Sequence, residues 1–97
     1  MRFEVIVPGG VEQELEEIAV WFETKRENYG AKFIDSFDQS VALLSQNPLA
    51  FPLKYKSFRE IRLEGFPYIV VFKMREKVVL VVRLIHTSRH QMKRYRK

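Results

Sequence analysis

The chain has no cysteine, and that absence excludes disulfide bridges, thiolate nucleophiles and cysteine-built zinc sites. Histidine is nearly as scarce: His86 and His90 are the only two. Four residues apart, they would share one face of a helix. His86, however, falls at the end of an apolar strand pattern and no third ligand stands near, so neither a metal nor a cofactor is expected. The amino-terminal apolar stretch is only Val5-Ile6-Val7. It is too short for a secretory leader or for the ~20 apolar residues of a membrane-crossing helix. A soluble, cytoplasmic protein without a membrane partner is the expectation. No internal repeat and no low-complexity segment occurs.

Acid is missing from one end of the chain. Residues 1–76 hold ten Lys and Arg against twelve Asp and Glu, a net of −2. Residues 77–97 hold seven Lys and Arg and no acid, a net of +7, so the formal charge of +5 is made entirely there. A basic end of this kind suits a polyanion or an acidic protein segment.

What is present fits one small folded domain over residues 1–97. Hydrophobic residues make up 46% and aromatics 13%, enough for a core, though a modest one at this length. Residues 3–7 form a short first strand, stopped by Pro8-Gly9-Gly10. Val11, Leu15, Ile18, Ala19 and Phe22 then recur at helical spacing, with Glu12, Glu16, Glu23 and Glu27 facing away and Trp21 beside the stripe, widening it or supporting a helix hairpin. Asn28-Tyr29-Gly30 breaks this helix. A second runs over about residues 31–46, with Ile34, Phe37, Val41 and Leu44 inward, and Asn47-Pro48 ends it. Residues 49–56 are a proline-punctuated loop. Arg59-Glu60-Ile61-Arg62-Leu63 alternates polar and apolar as a half-solvated strand does. A turn at Glu64-Gly65-Phe66-Pro67 leads into a strand over residues 68–74, and Arg75-Glu76-Lys77 turns the chain into a last strand over residues 78–85. That strand is apolar apart from Arg83, as befits a central strand. The predicted fold class is α+β with order β-α-α-β-β-β: a helical hairpin on one face of a twisted, mostly antiparallel four-stranded sheet.

Certain words in this order are distinctive. They are Arg62-Leu63 followed by Phe66-Pro67-Tyr68-Ile69-Val70-Val71-Phe72, and the last strand running into Arg83-Leu84-Ile85-His86-Thr87-Ser88-Arg89. Ile18, Trp21 and Phe22 on the first helix, Ala31 and Phe33 opening the second, and Asn47-Pro48 closing it support them. Together they resemble the RelE/ParE superfamily of toxins from bacterial type II toxin–antitoxin systems, the plasmid stabilisation proteins among them. The resemblance implies a protein that blocks growth when free and is silenced by an antitoxin encoded beside it. It leaves two targets open. RelE-like toxins are ribosome-dependent endoribonucleases that cut messenger RNA in the decoding site. ParE-like toxins bind DNA gyrase and stall it on cleaved DNA, without being enzymes. Surface residues, not the fold, distinguish them.

Cutting RNA without a metal requires an aligned 2′-hydroxyl, stabilised phosphoryl oxygens and a route for protons. By the resemblance, Arg62 matches a basic position on the first strand after the helices. Arg89 matches the arginine beyond the last strand, and Tyr95 the aromatic that stacks on a base. His86 is the candidate general acid or base, a role suited to imidazole. Two positions depart from that pattern. Glu60 stands where a further basic residue is expected, and Ile69 where the next strand should carry an arginine. One lost transition-state contact costs on the order of 10²–10³ in rate, by analogy with an oxyanion-hole donor. These departures favour the ParE-like, non-enzymatic branch, with Arg59, Arg62, Arg89, Lys93 and Arg94 as target- or nucleic-acid-binding residues. The alternative is a metal-independent ribonuclease using His86, Arg89 and Tyr95. A further alternative is a non-toxic basic module that binds nucleic acid with steep salt dependence.

Each of these residues also has a plainer role. Arg62 suits any solvated strand face. Arg83 would pair with Glu4 or Glu60 across the sheet, His86 would close a strand end by hydrogen bonding, and Tyr68 and Phe72 belong to the core. The acidic run at residues 12–17 suits a solvated helix face that repels nucleic acid. The basic ending equally suits an acidic antitoxin segment that folds on binding or adds a strand.

Overall fold

A computed structural model describes residues 2–88. β1 (Glu4–Ile6) is followed by two helices, α1 (Gly9–Lys25) and α2 (Tyr29–Gln46). A 3-10 turn (Pro48–Ala50) then leads to β2 (Leu53–Tyr55), β3 (Phe58–Arg62), β4 (Tyr68–Arg75) and β5 (Val78–His86). The sheet order is β1-β5-β4-β3-β2, with β1 parallel to β5 and every other pair antiparallel. The α+β plan, with two helices packed on a mostly antiparallel sheet, is the expected one, but the sheet has five strands rather than four. The extra strand is β2, inside the expected loop, where Leu53 pairs with Arg59 and Tyr55 with Phe58. Three residues offer no alternation to read. Pro52 just before them resembles a breaker, yet a sheet edge tolerates proline because its outer N–H groups need no ladder partner.

The helices start earlier than their apolar stripes suggest. Gly9 and Gly10 fall inside the first turn of α1, where the Pro8 carbonyl accepts the N–H groups of Val11 and Glu12, each at 3.0 Å. Glycine weakens a helix by only about 1 kcal/mol, and the burial of Val11 and Leu15 one turn on outweighs that. The break between helices is residues 26–28, with Asn28 left-handed at φ 67. Glu23 secures it: its two carboxylate oxygens accept the N–H groups of Asn28 and Gly30, both at 2.9 Å. An acid on the first helix thus caps the second. Gly30 itself lies within α2, and a Cβ there would sit 2.5 Å from the Ala19 carbonyl oxygen. The helices approach too closely for any larger residue.

The core lies between this hairpin and one face of the sheet. α1 contributes Val11, Leu15 and Phe22. On α2 the inward stripe passes through Phe33, Phe37 and Leu44, while Ile34 and Val41 are only half-buried. Phe22, Phe33 and Phe66 pack with ring centroids 5.1–5.2 Å apart, a geometry that adds about 0.5–1.5 kcal/mol per pair to area burial. Ser36 fixes the β3–β4 turn by donating its hydroxyl to the Glu64 carbonyl at 2.8 Å. Trp21 does not widen the stripe. It stands on the surface, 53% exposed, with the Lys25 ammonium 5.0 Å from its ring centre.

A bulge governs the second half of the sheet. Phe72 pairs with Val81 but Val71 pairs with Arg83, so Val82 is an extra residue in β5. Such an insertion resets which side chains face inward beyond it. Leu84, opposite Val70, therefore joins the main core, and Arg83 does not.

Three variants check this account. Gly30→Ala should lose at least about 2 kcal/mol in urea unfolding, because the new methyl meets backbone rather than a yielding side chain. Glu23→Ala should lose about 1–2 kcal/mol by releasing two capped N–H groups. Deleting Val82 keeps Leu84 opposite Val70 and should leave a folded protein weakened by about 1–3 kcal/mol. An unfolded deletion variant by circular dichroism would contradict the assigned register.

Candidate target-binding face of the sheet

Residues directly opposite each other on neighbouring strands project from the same face. The register therefore sorts the candidate residues without reference to distance. Arg62, Ile69 and Ile85 form one row across β3, β4 and β5, and Glu60, Val71 and Arg83 form the next. Phe58, Lys73 and Leu80 form a third. These rows share the face turned away from the helices. Its centre is a second apolar cluster of Phe58, Ile69 and Val71, with Tyr55 and Val82 packed against it. Around that centre stand Glu60, Arg62, Lys73 and Arg83, and the Lys73 ammonium lies 5.8 Å from the centre of the Phe58 ring.

His86 belongs to the opposite face. It pairs with Tyr68, whose ring packs on the main core, and the two rings meet edge to face at 5.1 Å. The Ser88 N–H donates to His86 Nδ1 at 3.0 Å, and the Ser88 hydroxyl lies 2.8 Å from the same nitrogen. The backbone N–H donates, so Nδ1 serves here as an acceptor. That is a hydrogen-bonded strand end. Arg59 also leaves the helix-free face. It shares a row with Phe72 and donates from Nη1 to the Phe51 carbonyl at 2.6 Å, tying down the loop before β2.

The structure thus separates residues that the sequence grouped. Arg62 and His86 lie on opposite faces, and Arg59 is engaged with the loop. Glu60 and Ile69, the two departures from the nuclease pattern, share the face of Arg62. Arg89, Lys93, Arg94 and Tyr95 lie outside the described residues. Of the two partners expected for Arg83, Glu60 stands in its row, whereas Glu4 pairs with Val78, five residues back along β5. Lys73 is a cation of this face that sequence reading passed over. Only its register opposite Phe58 reveals it. Among the described residues, no group of three His, Cys, Asp or Glu is placed to hold a metal, and no helix is long and apolar enough to cross a membrane.

Clefts border β5 on its outer side. One of about 230 Å³ is lined by Glu14, Glu17 and Ile18 of α1, and by Tyr68, Arg83, Leu84, Ile85 and His86 of the sheet, so a cation faces its two carboxylates. Another of about 380 Å³ lies between Pro8 and Glu14 on one side and Lys73, Leu80, Val82 and Arg83 on the other.

Residues 5–91 match the family model described as ParE toxin of type II toxin-antitoxin system, parDE. Among solved structures, a chromosomal ParDE TA system from P. aeruginosa superposes with a TM-score of 0.76 at 16% sequence identity. The match covers 88% of this chain and 96% of that one, and at that identity it is a likeness of fold. No curated protein matches.

The residue assignments predict a contrast in stability. Arg59→Ala should cost about 1.5–3 kcal/mol by removing a charged donor from the Phe51 carbonyl. Arg62→Ala, on the exposed face, should stay within about 0.5 kcal/mol of the parent. Chemical denaturation of both variants decides it, and equal losses would refute the separation.

Proposed function

The chain belongs to the ParE toxin family of type II toxin–antitoxin systems, and on that premise we propose that it arrests growth by binding DNA gyrase and stalling it on cleaved DNA. Its antitoxin holds it silent. The observation that carries the choice of target is the placement of Arg62 and His86 on opposite faces of the sheet. A general acid or base must come within hydrogen-bond reach of the proton it moves, and catalysis of that kind contributes about 10²–10⁴-fold. A phosphate held by Arg62 is screened from the His86 ring by the sheet itself. Glu60 next to Arg62 opposes an RNA backbone, and Ile69 supplies no charge to a phosphoryl oxygen. Nothing in this arrangement hinders protein binding. An apolar centre of Phe58, Ile69 and Val71 ringed by charged side chains resembles the anatomy of a protein–protein contact, with a dry middle and a polar rim. In this reading Arg62, Arg89, Lys93 and Arg94 make the target contacts, and Arg59 supports the loop.

One assay on induced cells and one on the purified protein test it. Expression without the antitoxin should arrest growth with messenger RNA intact, and the purified protein should inhibit gyrase supercoiling. Reversing the charge of Arg62, Arg89, Lys93 and Arg94 together should weaken that inhibition about tenfold or more, most visibly at low salt. Codon-phased messenger cleavage with supercoiling unaffected would overturn the proposal in favour of a ribonuclease.

A further inference from the structure

α1 buries Val11, Leu15 and Phe22 in the main core, and its opposite side meets solvent. Gln13, Glu16, Glu17, Val20, Trp21 and Thr24 recur there at helical spacing, and all are exposed. Val20 is 65% exposed, and beside it stands Trp21, the only tryptophan of the chain. Together they make an apolar pair in the middle of a charged face. On the amino-terminal side of the pair, Gln13, Glu16, Glu17 and Val20 line a depression of about 450 Å³. On the carboxyl-terminal side, the Lys25 ammonium lies 5.0 Å from the Trp21 ring centre. The face therefore runs from acid through an apolar centre to base, with a hollow just before the indole.

That order is its own complement when reversed. We propose that two copies of this chain associate through α1, antiparallel about a two-fold axis between Val20 and Trp21. Each indole then enters the depression beside the partner's Val20. Glu16 meets the partner's Lys25, since both stand one helical turn from the centre. A parallel pairing would set acid on acid. Nucleic acid, or an acidic antitoxin segment, would meet Glu16 and Glu17 as like charge, whereas a second α1 brings its own base. One helix against one helix buries less than a standard interface of about 1,600 Å², so the association is weak. Its centre is nevertheless a tryptophan, a residue type that dominates binding energy where it fills a pocket. This side of α1 points away from the sheet, so both copies keep their helix-free faces open. The inference does not depend on which target those faces take.

Sedimentation of the purified protein tests it. Between about 1 µM and 1 mM, the range of weak association, the mass should rise from one chain toward two. Trp21 emission should shift to the blue over the same range as the indole leaves water. Glu16→Lys and Lys25→Glu should each raise the dimer Kd about tenfold or more. Both substitutions in one chain should restore it, because the exchanged charges face each other again. Trp21→Ser, a surface change, should stay folded by circular dichroism and remain one chain throughout. A parent protein that is still one chain at the top of the range overturns the inference, as does a charge exchange that restores nothing. An emission shift that appears only when the antitoxin is added also overturns it, and gives this face to the antitoxin instead.

Discussion

The rest of the structure depends on the pairing of β4 with β5, and on the one residue in that pairing without a counterpart. If β5 ran regularly on from the Phe72–Val81 pair, Val71 would meet Val82 and Val70 would meet Arg83. A guanidinium would then enter the main core beside Val70, which is fully buried, at a desolvation cost of several kcal/mol. Val82 absorbs the mismatch. By bulging, it lets Leu84 fill the core and sends Arg83 to the helix-free face. The same step places His86 against Tyr68 on the helix side. One extra valine therefore decides the composition of both faces.

Seen this way, the two faces divide the labour. The inner face is committed to the helical hairpin and is dominated by aromatic packing among Phe22, Phe33 and Phe66. The outer face carries its own apolar centre and a ring of charge. Glu23 and Gly30 hold the hairpin tight without contributing to either surface, and Arg59 does the same for the loop before β2. These three are polar or small residues on helix and strand, the kind a functional search gathers up. Here each has a structural partner within hydrogen-bond or van der Waals reach.

Much of the fold was legible in the sequence because periodicity is local. The stripe of α1 and the alternation of β3 can be read from neighbouring residues, and the element order follows. β2 was not legible, being three residues between a proline and a turn. The bulge was hidden because Val81 and Val82 are the same residue, and no pattern marks one of a pair as surplus. The candidate site suffered most from this. Arg62 and His86 are both strand-end residues near positive charge, and only the register across β3, β4 and β5 reveals that they point in opposite directions. Gly30 looked like a helix breaker, since a close approach between helices leaves no trace in one of them alone.

The parallel pairing of β1 with β5 also has a temporal meaning. Glu4 meets Val78 across 74 residues of chain, and closing a loop of that length costs about 4 kcal/mol before any contact rewards it. β5 occupies an interior place in the sheet yet is the last described strand to be made. A chain still on the ribosome holds β1, its hairpin and the β2–β4 strands with no β5 to join them. The apolar faces meant for that strand stay open until synthesis has passed His86. A chain that stops short of β5 therefore lacks the strand that joins β1 to the rest of the sheet, and with it both faces described above.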